Sequence, residues 1–162
     1  MHAILVPVDG SAHAAKALHI ACDLAGKYGG RIALYHALAR DKPARDLLRL
    51  TAAKGFGPNL TAALEQAAGS QPQPIPDKLL RAVGEKILEM SATKARQRGV
   101  EAAKLAIETG DPCEGILLAA RNAGANTIVM GCRGVSDADA SSFGSVSNTV
   151  FQKADCTCIS VK

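Results

Sequence analysis

Short apolar runs along this chain alternate with stretches in which apolar residues recur every three or four positions. Residues 3–8 (AILVPV) are the first run. The run is apolar without alternation, the pattern of a strand buried on both faces. Pro7 lies near its C-terminal end, where a missing donor costs least. Asp9-Gly10-Ser11 breaks the run, and Ser11 suits a helix N-cap. Over residues 12–27, Ala15, Leu18, Cys22 and Ala25 fall at helical spacing, and Gly29-Gly30 ends the helix. Further strands are predicted over residues 31–38 (RIALYHAL), 102–107 (AAKLAI), 126–130 and 156–161 (CTCISV). Asp111 and Pro112 open a helix as N-cap and first helical residue; it runs to about Asn122, and Gly124 closes it. A last helix is predicted over 145–153. This cadence predicts parallel strand–helix–strand units with right-handed crossovers, an α/β fold.

Residues 39–99 depart from the cadence. The pattern predicts a helix over 41–50, a loop over 54–59 and a short helix over 60–68, followed by a proline-rich breaker, GSQPQPIP, over 69–76. From Asp77 the helical period returns through Leu80, Val83, Ile87 and Met90. The next position on that stripe is Lys94, so the apolar face is expected to end there and the last turn to be solvated. Residues 40–76 read as a partly mobile insertion in one domain spanning 1–162, too short and alanine-rich to hold a core of its own.

Composition narrows the class. Of 162 residues 48% are hydrophobic and 21% charged, a globular balance. Aromatics make up only 3% and Trp is absent, so aliphatic side chains and alanine must fill the core. That scarcity, with a net charge of +4 from scattered Lys and Arg, argues against a nucleic-acid partner. No apolar run approaches the roughly 20 residues of a membrane span. The start, MHAILVPVDG, carries no basic leader region and reads directly as a strand, so no membrane role and a cytoplasmic location are expected. Five cysteines, an odd number, fit reduced thiols there.

The richest stretch is residues 128–146, IVMGCRGVSDADASSFGSV. An apolar strand breaks at Gly131, continues to Gly134, and reaches Gly144-Ser145 after nine intervening residues: G-x2-G-x9-G-[ST]. Glycines reach positive φ and let backbone approach a ligand closely. The N–H groups opening the next helix lack intrahelical partners and favour an anion. A phosphate-bearing ligand is therefore expected here. A Walker-type loop and G-x-G-x-x-G are both absent, which disfavours a hydride-transferring dinucleotide enzyme.

Val6-Pro7-Val8-Asp9-Gly10-Ser11, the Gly110-Asp111-Pro112 turn and the loop from Gly131 to Ser145 occur in this order, and together they resemble the universal stress protein family, of the UspA-like, nucleotide-binding type. The resemblance covers nearly the whole chain outside residues 40–76. It implies a Rossmann-like, doubly wound five-stranded parallel sheet of order 3-2-1-4-5 with helices on both faces. It also implies ATP binding, with Mg²⁺, a stress-response role, and a homodimer, often formed through the last strand. That order puts the topological switch between the first and fourth strands, so Asp9 and Gly131 would flank one crevice. By the resemblance, Asp9 faces adenine or ribose and Ala37 offers its backbone N–H and C=O to the adenine edge. Gly131 and Gly134 line the phosphate path, while Gly144, Ser145 and Val146 hold phosphate through backbone N–H groups and the Ser145 hydroxyl.

The loop departs from the family in carrying Ser136, Asp137, Asp139, Ser141 and Ser142. Two carboxylates repel a triphosphate unless Mg²⁺ lies between them, which leaves AMP, another adenosine ligand or no ligand open. Arg133, and further off Lys16, are the nearby cations. Asp9 also has a plain turn role, its carboxylate bonding backbone two residues on. His36 reads as a structural histidine, and no two histidines are spaced as metal ligands. Cys156 and Cys158 share one strand face and read as core. Cys132 lies in the glycine loop, and parallel strands put it too far from Cys156 for a disulfide. No nucleophile–base pair or paired carboxylates stand out, so no catalytic residue is assigned and at most weak ATP hydrolysis is expected. The alternatives are a dimeric scaffold of the same fold without nucleotide and a slow ATPase. The last strand carries Thr157 where the family has proline, which restores an N–H donor; as an apolar edge it needs cover, and a second copy would supply it.

Overall fold

The computed structural model describes residues 2–38, 43–51, 55–69, 74–106, 108–135 and 144–162. Five parallel strands form the main sheet: β1 (Ala3–Pro7), β2 (Arg31–Tyr35), β4 (Ala102–Lys104), β6 (Thr127–Gly131) and β7 (Thr157–Val161). Their spatial order, β4-β2-β1-β6-β7, is the expected 3-2-1-4-5. A second, two-stranded ladder pairs β3 (Ala37–Leu38) with β5 (Glu108–Thr109). The helices are α1 (Ala12–Tyr28), α2 (Ala44–Thr51), α3 (Pro58–Ala67), α4 (Asp77–Gln97), α5 (Pro112–Asn122) and α6 (Ser145–Lys153).

The small ladder corrects the prediction of unbroken strands over 31–38 and 102–107. Ile32 pairs with Ala102, but Ala37 pairs with Glu108, so the later segment has gained one residue between the two ladders. The register therefore differs by one residue on the two sides of the break. The second segment breaks at His36, whose buried ring donates from Nδ1 to the Val8 carbonyl at 2.7 Å. A carbonyl only accepts, so Nδ1 carries the proton, and His36 is the structural histidine expected.

Alternation along the central strands separates two cores. Ile4, Val6, Ile32, Leu34 and Val129 face α1 and α4, with Leu18, Val83 and Ile87 packed on them. Leu5, Tyr35, Ile128 and Met130 face α5 and α6, meeting Ile116 and Val150. Fully burying each such aliphatic side chain contributes roughly 1.5–3 kcal/mol. Leu47 and Leu50 of α2, Phe56, and Leu64 of α3 join the first core.

Helix ends follow the caps. The Ser11 hydroxyl accepts from Ala14 N, and Gly29 closes α1 with φ 68°. Asp111 accepts from Glu114 N at 2.9 Å, with Pro112 as the first residue of α5. Two helix faces differ from the prediction. Ala15 is exposed, and α1 buries Ala14, Ala17, Leu18, Ala21, Cys22 and Ala25 instead. On α4, Lys94 is exposed as expected and Met90 is half-buried, but the buried face drifts past them through Leu88, Ala92 and Ala95. Alanine is small enough to bury against a neighbouring helix where a larger stripe residue would not fit.

Candidate functional site

The crevice opens where β1 and β6 part. Their ladder covers only Ile4–Thr127 and Leu5–Ile128, while β6 stays paired with β7 as far as Gly131. Pro7 helps separate them. Val8 N–H points toward β2, donating to the Tyr35 carbonyl at 2.8 Å. Successive N–H groups alternate sides along a strand, so the nitrogen of Pro7 faces β6 and has no hydrogen to give. Beyond the parting lies a cavity of about 220 Å³, at the switch point of the sheet order.

All eight residues singled out from the sequence line this cavity: Asp9, Ala37, Gly131, Arg133, Gly134, Gly144, Ser145 and Val146. The sequence pattern gave no sign of its apolar wall, which includes Val8, Tyr35, Ile116 and Met130. Tyr35 is buried, and a Cβ at Gly115 would overlap its hydroxyl, so α5 comes close to the strand only because residue 115 is glycine. Lys16 does not line the cavity; its Nζ donates to the Lys162 carbonyl at 3.3 Å.

Asp9 is a tie between segments. One carboxylate oxygen accepts from Ser11 N at 2.9 Å, the turn role, and the other accepts from Val135 N at 3.0 Å. The second bond joins the end of β1 to the glycine loop across 126 positions.

The glycines serve different needs. A Cβ at Gly131 would lie 2.7 Å from His13 Cβ, 2.9 Å from the His13 carbonyl carbon and 3.0 Å from Ala14 N. Gly131 therefore lets the first turn of α1 pack on the end of β6. Gly144 has φ −64° and ψ 149°, the extended backbone of a helix N-cap, not the left-handed region anticipated for the loop glycines. Its carbonyl takes the first helical bond from Asn148 N, and a side chain is dispensable there.

The open end of α6 is the polar side of the cavity. Gly144 has no side chain to cap it, so the Ser145, Val146 and Ser147 N–H groups occupy a first turn with no intrahelical acceptor. By contrast, α1 and α5 are capped by Ser11 and Asp111. Arg133 also lines the cavity, and its Nε is buried with no hydrogen-bond partner among the described residues. A buried, unpaired guanidinium nitrogen is costly unless an acceptor arrives.

Asp137, Asp139 and the loop serines 136, 141 and 142 lie outside the described residues. Cys132 is buried, and all five thiols are free. Cys156 and Cys158 are half-buried against the second core and not within it, because β7 is an edge strand. Burial raises the thiol pKa of Cys22, Cys113, Cys156 and Cys158, and the Asp111 carboxylate adds to the effect at Cys113. Among the described residues no group of three or more His, Cys, Asp or Glu could hold a metal ion. None of their helices is long and apolar enough to cross a membrane.

Known proteins share this architecture. Universal stress protein YxiE of Bacillus subtilis is 31% identical over 162 residues, spanning 98% of this chain and 97% of the relative. The universal stress protein of Archaeoglobus fulgidus, solved in complex with dAMP, superposes with a TM-score of 0.65 at 22% identity, covering 100% of this chain and 98% of that one. A universal stress protein family member from Arabidopsis thaliana, solved with AMP bound, superposes with a TM-score of 0.64 at 18% identity, over 100% and 92% of the two chains. The family model described as the universal stress protein family matches residues 1–162, and the chain belongs to that family.

Proposed function

We propose that this protein binds an adenine nucleotide in the crevice between β1 and β6 and acts as a stress-response regulator. The observation that carries the reading is that the uncapped start of α6 and Arg133, whose buried Nε has no hydrogen-bond partner, line one cavity. Together they offer a cation and several N–H donors to one anion, the requirement of a phosphate group. The apolar wall of Val8, Tyr35, Ile116 and Met130 suits a flat base. The dAMP bound by the Archaeoglobus relative and the AMP bound by the Arabidopsis one agree with this choice.

AMP and ATP with Mg²⁺ both meet this requirement, and the test below compares them. No residue is assigned to catalysis, and any ATP hydrolysis is expected to be slow. A homodimer through β7 and a cytoplasmic location complete the proposal. The outer edge of β7 is open to a second copy, while the Thr157 N–H turns inward and donates to the Asn126 carbonyl at 3.2 Å.

The test is a thermal shift with AMP, adenosine and ATP–Mg²⁺, together with light scattering. At 100 times its dissociation constant, AMP should stabilise the fold by about 2.7 kcal/mol. For a chain of this length that is a rise of roughly 5–10 °C in Tm. No shift with millimolar AMP, and no nucleotide in the purified protein, would favour the nucleotide-free scaffold. A monomer at micromolar concentration would remove the dimer.

A further inference from the structure

Both ends of the glycine loop are held by a residue outside the glycine pattern. Ser147 is 3% exposed, and its hydroxyl lies 2.9 Å from the Cys132 carbonyl and 2.9 Å from the Gly144 carbonyl. Carbonyl oxygens only accept, so the one hydroxyl proton is shared between these two. The Cys132 carbonyl also receives the Gly144 N–H at 2.8 Å. Cys132 directly follows β6, and Gly144 directly precedes α6. The three residues therefore form a knot that closes the loop at its base.

Ser147 also lines the cavity, yet with its proton committed to two carbonyls its hydroxyl has nothing left to donate to an anion. Ser145, two residues earlier, is exposed on the same cavity wall and keeps that role. What Ser147 controls is where α6 begins. N–H donors serve an oxyanion well only at about 2.7–3.1 Å, so a small drift of the helix start weakens several bonds together.

We propose that Ser147 is a positioning residue for the phosphate subsite: its hydroxyl fixes the start of α6 against the end of β6, so that the Ser145 and Val146 N–H groups and Arg133 Nε converge on one phosphate. The inference rests on the nucleotide reading above. It predicts an effect confined to the phosphate, because the apolar wall is built from β1, β2, β6 and α5.

Calorimetric titration of AMP and adenosine into wild type, Ser147→Ala and Ser147→Thr tests it. Ser147→Ala should weaken AMP binding about 5–20-fold, the worth of one or two displaced hydrogen bonds, and leave adenosine within about 2-fold. Ser147→Thr should restore most of the AMP preference, because threonine in a helix can bond the carbonyl three residues back. Without ligand, the Gly144 amide of Ser147→Ala should exchange about 5-fold faster than in wild type. Equal losses for AMP and adenosine would overturn the proposal in favour of a general structural role. An unchanged AMP preference in Ser147→Ala would overturn it as well. If wild type binds no AMP, the nucleotide reading itself falls; wild type that binds AMP beside an indifferent Ser147→Ala removes only the role of Ser147.

Discussion

Gly131 opens the glycine loop, but its surroundings assign it a structural duty that can be separated from the proposed binding. In Gly131→Ala the new methyl group would meet His13 Cβ at 2.7 Å, the His13 carbonyl carbon at 2.9 Å and Ala14 N at 3.0 Å. Comfortable carbon contacts lie at about 3.5–4.0 Å, so the overlap approaches 1 Å. Two of the three atoms are backbone of the first turn of α1, which cannot rotate aside as a side-chain tip could. Ala14 and Ala17 bury that end of α1 in the fold. Overpacking of this kind costs about 1–3 kcal/mol. With backbone in the way, the upper half of that range applies, a loss of roughly 4–12 °C in Tm for this chain length. The assay is urea and thermal unfolding of wild type and Gly131→Ala without nucleotide. A variant that unfolds at the wild-type midpoint but fails to bind AMP would refute the reasoning, because glycine would then serve ligand approach alone.

The same geometry sets other outcomes. Asp9→Ala strands the Ser11 and Val135 N–H groups and should cost about 1–3 kcal/mol in denaturant unfolding; a stability equal to wild type would show that the tie is idle. Arg133→Met removes the orphaned Nε while keeping the stem, so the free protein should be as stable as wild type or slightly more so, and AMP affinity should fall roughly 10–100-fold, as for a charged hydrogen bond. Four thiols have raised pKa values in the fold. The unfolded chain therefore loses those protons first as pH rises, so stability holds below about pH 8 and declines through the unfolded thiol pKa of roughly 8.5. A Tm profile from pH 7 to 10 should bend downward, and replacing Cys22, Cys113, Cys156 and Cys158 by alanine should flatten it.

How much of this was legible along the chain depended on whether the deciding contact was local. The bounds of α1, α5 and α6 come from Ser11, Gly29, Asp111, Pro112 and Gly144, which act within a turn of their own helix. Strand ends depend on a neighbour. The break after Lys104 is set by the register against β2 and β3, and nothing within residues 102–107 announces it. Alanine was a poor guide to helix faces, because it is equally at home at exposed Ala15 and buried Ala14. That the eight proposed residues line one cavity was legible because the family resemblance supplied them together with the sheet order that fixes which loops meet. The bond from Val135 to Asp9 and the direction of the Ser147 hydroxyl were not, since both are set by atoms brought together only in the fold.

The most direct test of the account is an amide and guanidinium NMR titration of the isotope-labelled protein with AMP. Binding as proposed predicts the largest saturable shifts at the Gly144, Ser145 and Val146 amides and at Arg133 Nε–H, with smaller ones at Val8, Ala37 and Ile116. Saturable shifts confined to other surfaces, or none at millimolar AMP, would contradict it.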